Sequence, residues 1–330
     1  IRSDLSNISG NVPAVNITDV DCGLYGSGLF TLGAFSSASL LHTLDNPNAY
    51  GTSAGDGFSY SAAISGNYAI VGAYLEDDAS GISSGKAYIF NVSTGALLHT
   101  LDNPNPYGTS QFDNFGNSVA ISGNYAIVGA HYEGDAGGTT SGKAYIYNVS
   151  TGALVHTLDN PTAYGTSADD RFGNSVAISG NYAIVGAFQE DFNGGGNSGN
   201  AYIFNVSTGA LLHTLTNPTV IAGVDSAFYN FGNSVAISGN YAIVGAYGVS
   251  VEGYASGKAY IYNNSTGALL HTLDNPNDYG TSQLIDLETL LQYQIPMRLL
   301  AHTMKTMLVV LIQQSIYLQC IYRCIVTYTR

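Results

Sequence analysis

One segment of about 57 residues returns in register along most of this chain, and that periodicity limits the fold more than any other feature. The decapeptide Ile-Ser-Gly-Asn-Tyr-Ala-Ile-Val-Gly-Ala begins at Ile64, Ile121, Ile178 and Ile237. A second block, Ala-Tyr-Ile-(Phe/Tyr)-Asn, begins at Ala87, Ala144, Ala201 and Ala259. A third, Leu-(Leu/Val)-His-Thr-Leu, begins at Leu40, Leu97, Leu154, Leu211 and Leu269. The blocks divide the chain into a partial unit over 1–50, four full units over 51–107, 108–164, 165–222 and 223–279, and an atypical remainder over 280–330.

Each unit predicts four short strands. In the second unit they are Ser118–Ser122, Tyr125–His131, Lys143–Val149 and Ala153–Leu158. Gly123-Asn124 is a two-residue hairpin signal, Ser150-Thr151-Gly152 a turn, and Asp159-Asn160-Pro161 breaks the pattern before the next unit. Alternation in Ala144-Tyr145-Ile146-Tyr147 sends the tyrosines to one face and Ala and Ile to the other, so both faces are apolar. A sheet with one wet face alternates apolar with polar residues. Two dry faces suit a sheet held between neighbouring sheets, and four strands per long repeat predict an all-β fold of β-propeller blades, as a ring or an open arc.

Phe115-Gly116, Phe172-Gly173 and Phe231-Gly232 recur ahead of Gly72-Ala73, Gly129-Ala130, Gly186-Ala187 and Gly245-Ala246, with Phe58-Ser59 as the first unit's variant. In this the chain resembles the FG-GAP repeat, the blade unit of integrin-α-like β-propellers and of many bacterial surface proteins. The resemblance implies a surface or secreted binding module. The integrin type carries an acidic calcium loop between the two halves. Here that place holds only Ser122-Gly123-Asn124 and its equivalents, too short for the six to eight oxygens calcium takes, so that site is not carried over.

Candidate chemistry is sparse. The loop between strands two and three carries Glu76, Asp77 and Asp78; Glu133 and Asp135; Glu190 and Asp191; and Glu252. These are the only metal candidates, as a weak calcium site or a polar binding rim; the simpler reading is a solvated loop that keeps the protein soluble. Asp113, Asp169 and Asp170, before Phe-Gly, read as turn caps. His42, His99, His156, His213 and His271 hold one strand position on separate units and have no recurring Cys or carboxylate at ligand spacing, so they read as structural. Asn91, Asn148, Asn205 and Asn264 begin glycosylation motifs that read equally as strand-ending turns. No nucleophile elbow, phosphate loop or zinc-protease motif is present, and the near-symmetry of the units argues against a catalytic site, so a non-enzyme without cofactor is expected.

The 23 acidic against 9 basic residues, a formal net charge of −14, argue against a nucleic-acid partner. The apolar run Leu308–Ile312 is far too short to cross a bilayer. The chain starts at Ile1, as a fragment or processed product does. From Leu284 the repeat collapses, yet back-translation with a one-base shift makes Leu284–Ile312 read DRFGNSVAISDTYAIVGAHYEDDAGGTN, and a second slip makes Gln314–Arg330 read KAYIYNVSTGALLHTLD. That predicts a fifth unit disrupted by two small indels, and Cys320 and Cys324 then carry no functional weight. The expected function is binding of a protein or glycan at the cell surface or outside the cell; a polysaccharide-acting enzyme and a structural matrix or envelope repeat are the alternatives.

Overall fold

A computed structural model describes residues 40–48, 54–78, 81–105, 111–134, 139–161, 168–191, 196–218, 229–251, 254–255 and 257–275. The disrupted-unit reading of the tail and Asp135 and Glu252 lie outside these residues, as does nearly all of the 1–50 unit up to Leu40. The described residues contain strands and turns and no helix, so none is long and apolar enough to cross a membrane.

The strands form four antiparallel four-stranded sheets, one per full repeat, each in simple meander order. Blade 1 holds β1 (Phe58–Ser65), β2 (Tyr68–Ala73), β3 (Lys86–Asn91) and β4 (Leu97–Asp102). Blade 2 holds β5 (Ser118–Ser122), β6 (Tyr125–Ala130), β7 (Lys143–Asn148) and β8 (Leu154–Asp159). Blade 3 holds β9 (Phe172–Ser179), β10 (Tyr182–Ala187), β11 (Asn200–Asn205) and β12 (Leu211–Thr216). Blade 4 holds β13 (Phe231–Ser238), β14 (Tyr241–Ala246), β17 (Lys258–Asn263) and β18 (Leu269–Asp274), with a small hairpin of β15 (Ser250–Val251) and β16 (Tyr254–Ala255) in its loop. Ser122 pairs with Tyr125 across Gly123-Asn124, which closes the expected hairpin. The second strand ends at Ala130, one residue short of the sequence expectation, so His131 belongs to the turn beyond it.

The cores lie between blades, not within them. Ala120, Ile127, Ala144, Ile146 and Leu158 on one face of blade 2 pack with Phe172, Val176, Ile178, Tyr202 and Phe204 of blade 3. The same small-against-large fit joins blade 1 to blade 2 and blade 3 to blade 4. Each Phe of Phe-Gly is fully buried and sits edge-on to an aromatic of the third strand, as Phe172 does on Phe204 at 6.0 Å. Both dry faces predicted from Ala-Tyr-Ile-Tyr are therefore real, and the tyrosine face of one blade meets the Ala-Ile face of the blade before it.

The two glycine motifs recur because they touch each other. A Cβ on Gly129 would lie 2.0 Å from the carbonyl oxygen of Gly173, and one on Gly173 would lie 2.1 Å from that of Lys143. Gly173 also has φ of +87°, which side chains disfavour. The Gly-Ala half of one blade is thus the seat for the Phe-Gly half of the next. At the ends of the row this fit is open: Ile64 of β1 is 64% exposed where Ile121 is 4%, and Leu273 of β18 is 38% exposed where Leu158 is 2%. Among the described residues the blades form an open series.

Candidate functional site

Because the strands alternate in direction, each blade places its two tight turns at one end and its two longer connections at the other. The turn end is committed to the fold. Asn148 Oδ1 accepts from Ser150 N (3.0 Å), Ser150 Oγ (2.7 Å) and Thr151 N (3.1 Å). Asn91, Asn205 and Asn263 repeat this turn. In the fourth unit the equivalent residue is therefore Asn263, not Asn264, which is fully buried and donates to Gly239 O at 3.0 Å. The recurring histidines latch one blade to the next across this turn: His42, His99 and His156 each place Nε2 within 3.1–3.2 Å of the carbonyl oxygen of Ser93, Ser150 or Ser207. The structural reading of His42, His99 and His156 accounts for these contacts.

The loop end differs from the sequence expectation. Glu76, Glu133 and Glu190 are not solvated; all three are fully buried. Tyr88 Oη donates to Glu76 at 2.7 Å and Tyr145 Oη to Glu133 at 2.6 Å, and Tyr202 donates to Glu190 in the same way. The reason is tertiary: the loop folds back so that its first acid meets the tyrosine twelve residues later on the third strand. Burial pushes the Glu133 carboxyl up to about 8 against the opposing pull of the Tyr145 hydrogen bond, and raises that of Glu76 likewise. In the fourth unit Val249 occupies the place, also buried, beside Tyr260.

The remaining metal candidates brace their own loops. Asp77 accepts from Ser83 N, Asp78 from Gly81 N and Asp191 from Asn197 N, all at 2.8–2.9 Å. Asp77 and Asp78 share the loop of blade 1 and Asp191 lies in that of blade 3, and among the described residues no group of three or more His, Cys, Asp or Glu converges on one point.

The acid before Phe-Gly clamps the connection between blades. Asp113 Oδ2 accepts from Asn103 and Asn105, Asp56 from Asn46 and Asn48, and Asp170 from Asn160, so the Asp-Asn-Pro linker is stitched to the next blade's first turn. Burial raises the Asp113 carboxyl to about 6, with the two asparagine donors opposing. Asp169, one residue earlier than Asp170, is exposed and accepts from Thr140 Oγ1.

One cluster at this end has no counterpart in the other blades. Arg171 Nη1 donates to Tyr132 Oη at 2.7 Å, and the guanidinium carbon lies 4.5 Å from the Tyr132 ring centre. The His131 and Tyr132 rings are 4.1 Å apart. His131 is buried and held neutral, its pKa pushed down to about 4 by burial and by Arg171. Sequence reasoning passed over these residues because it searched for recurring positions. A unit-by-unit comparison shows them, since Tyr74-Leu75, Phe188-Gln189 and Tyr247-Gly248 stand where His131-Tyr132 does.

Among known families, the sequence model described as FG-GAP repeat matches residues 48–90, 106–147, 162–204 and 219–262. Each match runs from the interblade linker through the third strand of one sheet. No curated protein matches the chain.

Proposed function

Because this chain belongs to the FG-GAP repeat family, we propose that it is a non-catalytic binding module of the cell surface or extracellular space, and that it engages a protein or glycan through the loop end of its blades. The observation that carries this reading is the contrast between the two ends. Turn-end side chains repeat from blade to blade and are spent on turns and latches. The loop end varies in length and composition and presents side chains the fold leaves exposed, among them Ile82, Phe112, Asp169 and Tyr247. Binding residues concentrate on variable connections held by a rigid scaffold. Buried glutamates bound to tyrosines, one in each of blades 1 to 3, serve as core hydrogen-bond partners and not as a reacting carboxylate pair.

The test is a binding screen of the full chain against immobilised glycans and surface proteins, repeated with Phe112→Ala and Asp169→Asn at the loop end and Thr151→Ala and Thr208→Ala at the turn end. Loss confined to the loop-end variants is expected. Ligand capture that ignores the loop end and fails with the turn-end variants sinks the reading.

A further inference from the structure

Near-identical repeats supply an internal control: a residue present in one blade, where its equivalents serve the backbone better, answers to something other than the fold. Arg171 is such a residue. It occupies the left-handed position before Phe-Gly, with φ of +56°. The equivalents are Gly57 (+66°), Asn114 (+57°) and Asn230 (+52°), the two residue types that tolerate this conformation best. Arginine there works against the local backbone preference, and strain of this kind gathers at functional sites.

Its contacts with Tyr132 leave part of its donor capacity unmet within the protein. Among the described residues Lys86, Lys143 and Lys258 each meet an aspartate, whereas Arg171 meets no carboxylate at ion-pair distance. Tyr132 takes one of its five donors, and Nε is buried without a hydrogen-bond partner. His131 Nδ1 is likewise buried and unpartnered on a side chain only 7% exposed. A cation serving only as a tether between blades 2 and 3 would be expected to bring a carboxylate with it in so acidic a chain.

We propose that Arg171, flanked by Tyr132 and His131, is the docking point for the carboxylate of an acidic sugar, an assignment that rests on the loop end being the binding surface. The guanidinium N–H groups that Tyr132 does not engage match a carboxylate, and the half-buried Tyr132 ring, backed by buried His131, offers an apolar edge to the sugar's C–H groups. Exposed Asp169, two residues away on the same turn, has acceptor capacity beyond its bond from Thr140 Oγ1 for a sugar hydroxyl, and its charge repels a carboxylate-rich peptide. The net charge of −14 opposes a polyanion far more than a ligand that presents a single carboxylate.

Titration calorimetry on the full chain tests this with three probes: an oligosaccharide ending in glucuronate, its glucose-ended counterpart and a peptide ending in glutamate. The glucuronate probe is expected to bind about tenfold tighter than the neutral one, in line with a charge-assisted hydrogen bond. Arg171→Asn, which installs the residue of Asn114 and Asn230, should keep the urea midpoint and erase that difference. Tyr132→Phe should reduce it. Equal binding of both sugars, binding of neither, a preference that survives in Arg171→Asn, or a glutamate peptide bound as tightly as glucuronate overturns the assignment. A ligand whose capture depends on Phe112 or Asp169 but not on Arg171 would leave the binding-module reading standing while this one falls.

Discussion

Leu158 of blade 2 and Leu273 of blade 4 occupy the same position in two copies of one hexapeptide, yet one is 2% exposed and the other 38%. If interblade packing holds the fold together, truncating them to alanine must cost different amounts. For Leu158 the transfer of three buried carbons contributes roughly 2.4 kcal/mol at about 0.8 each. The cavity left between blades 2 and 3, where Leu158 packs in one cluster with Phe172 and Tyr202, brings the total to about 3–4 kcal/mol. Leu273 lacks a covering blade among the described residues, so no closed cavity forms. Its loss reduces to a discounted transfer term of about 1.5 kcal/mol or less. Urea unfolding followed by circular dichroism, with amide exchange to locate the opened blade, measures both. Equal losses, or a larger one at Leu273, would refute the claim that the cores lie between blades.

Gly173→Ala should be severe, about 3 kcal/mol or more, because its Cβ would lie 2.1 Å from a backbone oxygen of blade 2. Gly180→Ala, at φ of +55° with nothing within 4 Å, should cost only about 1 kcal/mol in the same urea assay. Glu133 has a folded pKa near 8 against an ordinary 4.5, so it favours the folded state below pH 4.5 and penalises it progressively as pH rises through 8. Glu133→Gln keeps an acceptor for Tyr145, and its melting temperature relative to the native chain should climb between pH 5 and pH 8; a pH-independent gap would count against a buried, burial-shifted carboxyl. His99→Ala should lose about 1 kcal/mol by removing the latch to Ser150 O, with no change in divalent-metal binding by calorimetry.

Much of the architecture was legible from residue order alone. Gly123-Asn124 and the Ala-Tyr-Ile-Tyr alternation depend on local backbone geometry and side-chain period, and both stand as expected. The glutamates were not legible. An acid that follows a strand and precedes a Gly-rich loop looks solvated, and nothing within a few residues of Glu133 states that the loop returns it to Tyr145. The same limit hid the function of the histidines, whose acceptors lie 51 residues away on the next blade. The Arg171 cluster was hidden for another reason: attention to what recurs discards what does not.

By itself, the order of residues determined that there are repeated four-stranded sheets with two dry faces, because strand period, turn chemistry and side-chain size are local properties read over a handful of positions. Only the tertiary structure decided that Phe-Gly seats on the preceding Gly-Ala, that Glu76, Glu133 and Glu190 are core hydrogen-bond partners, and that Arg171 stands on Tyr132 with no carboxylate at ion-pair distance among the described residues. Those facts arise where one blade meets another or a loop folds back on its own sheet, and distances across such junctions are set by packing and not by position along the chain.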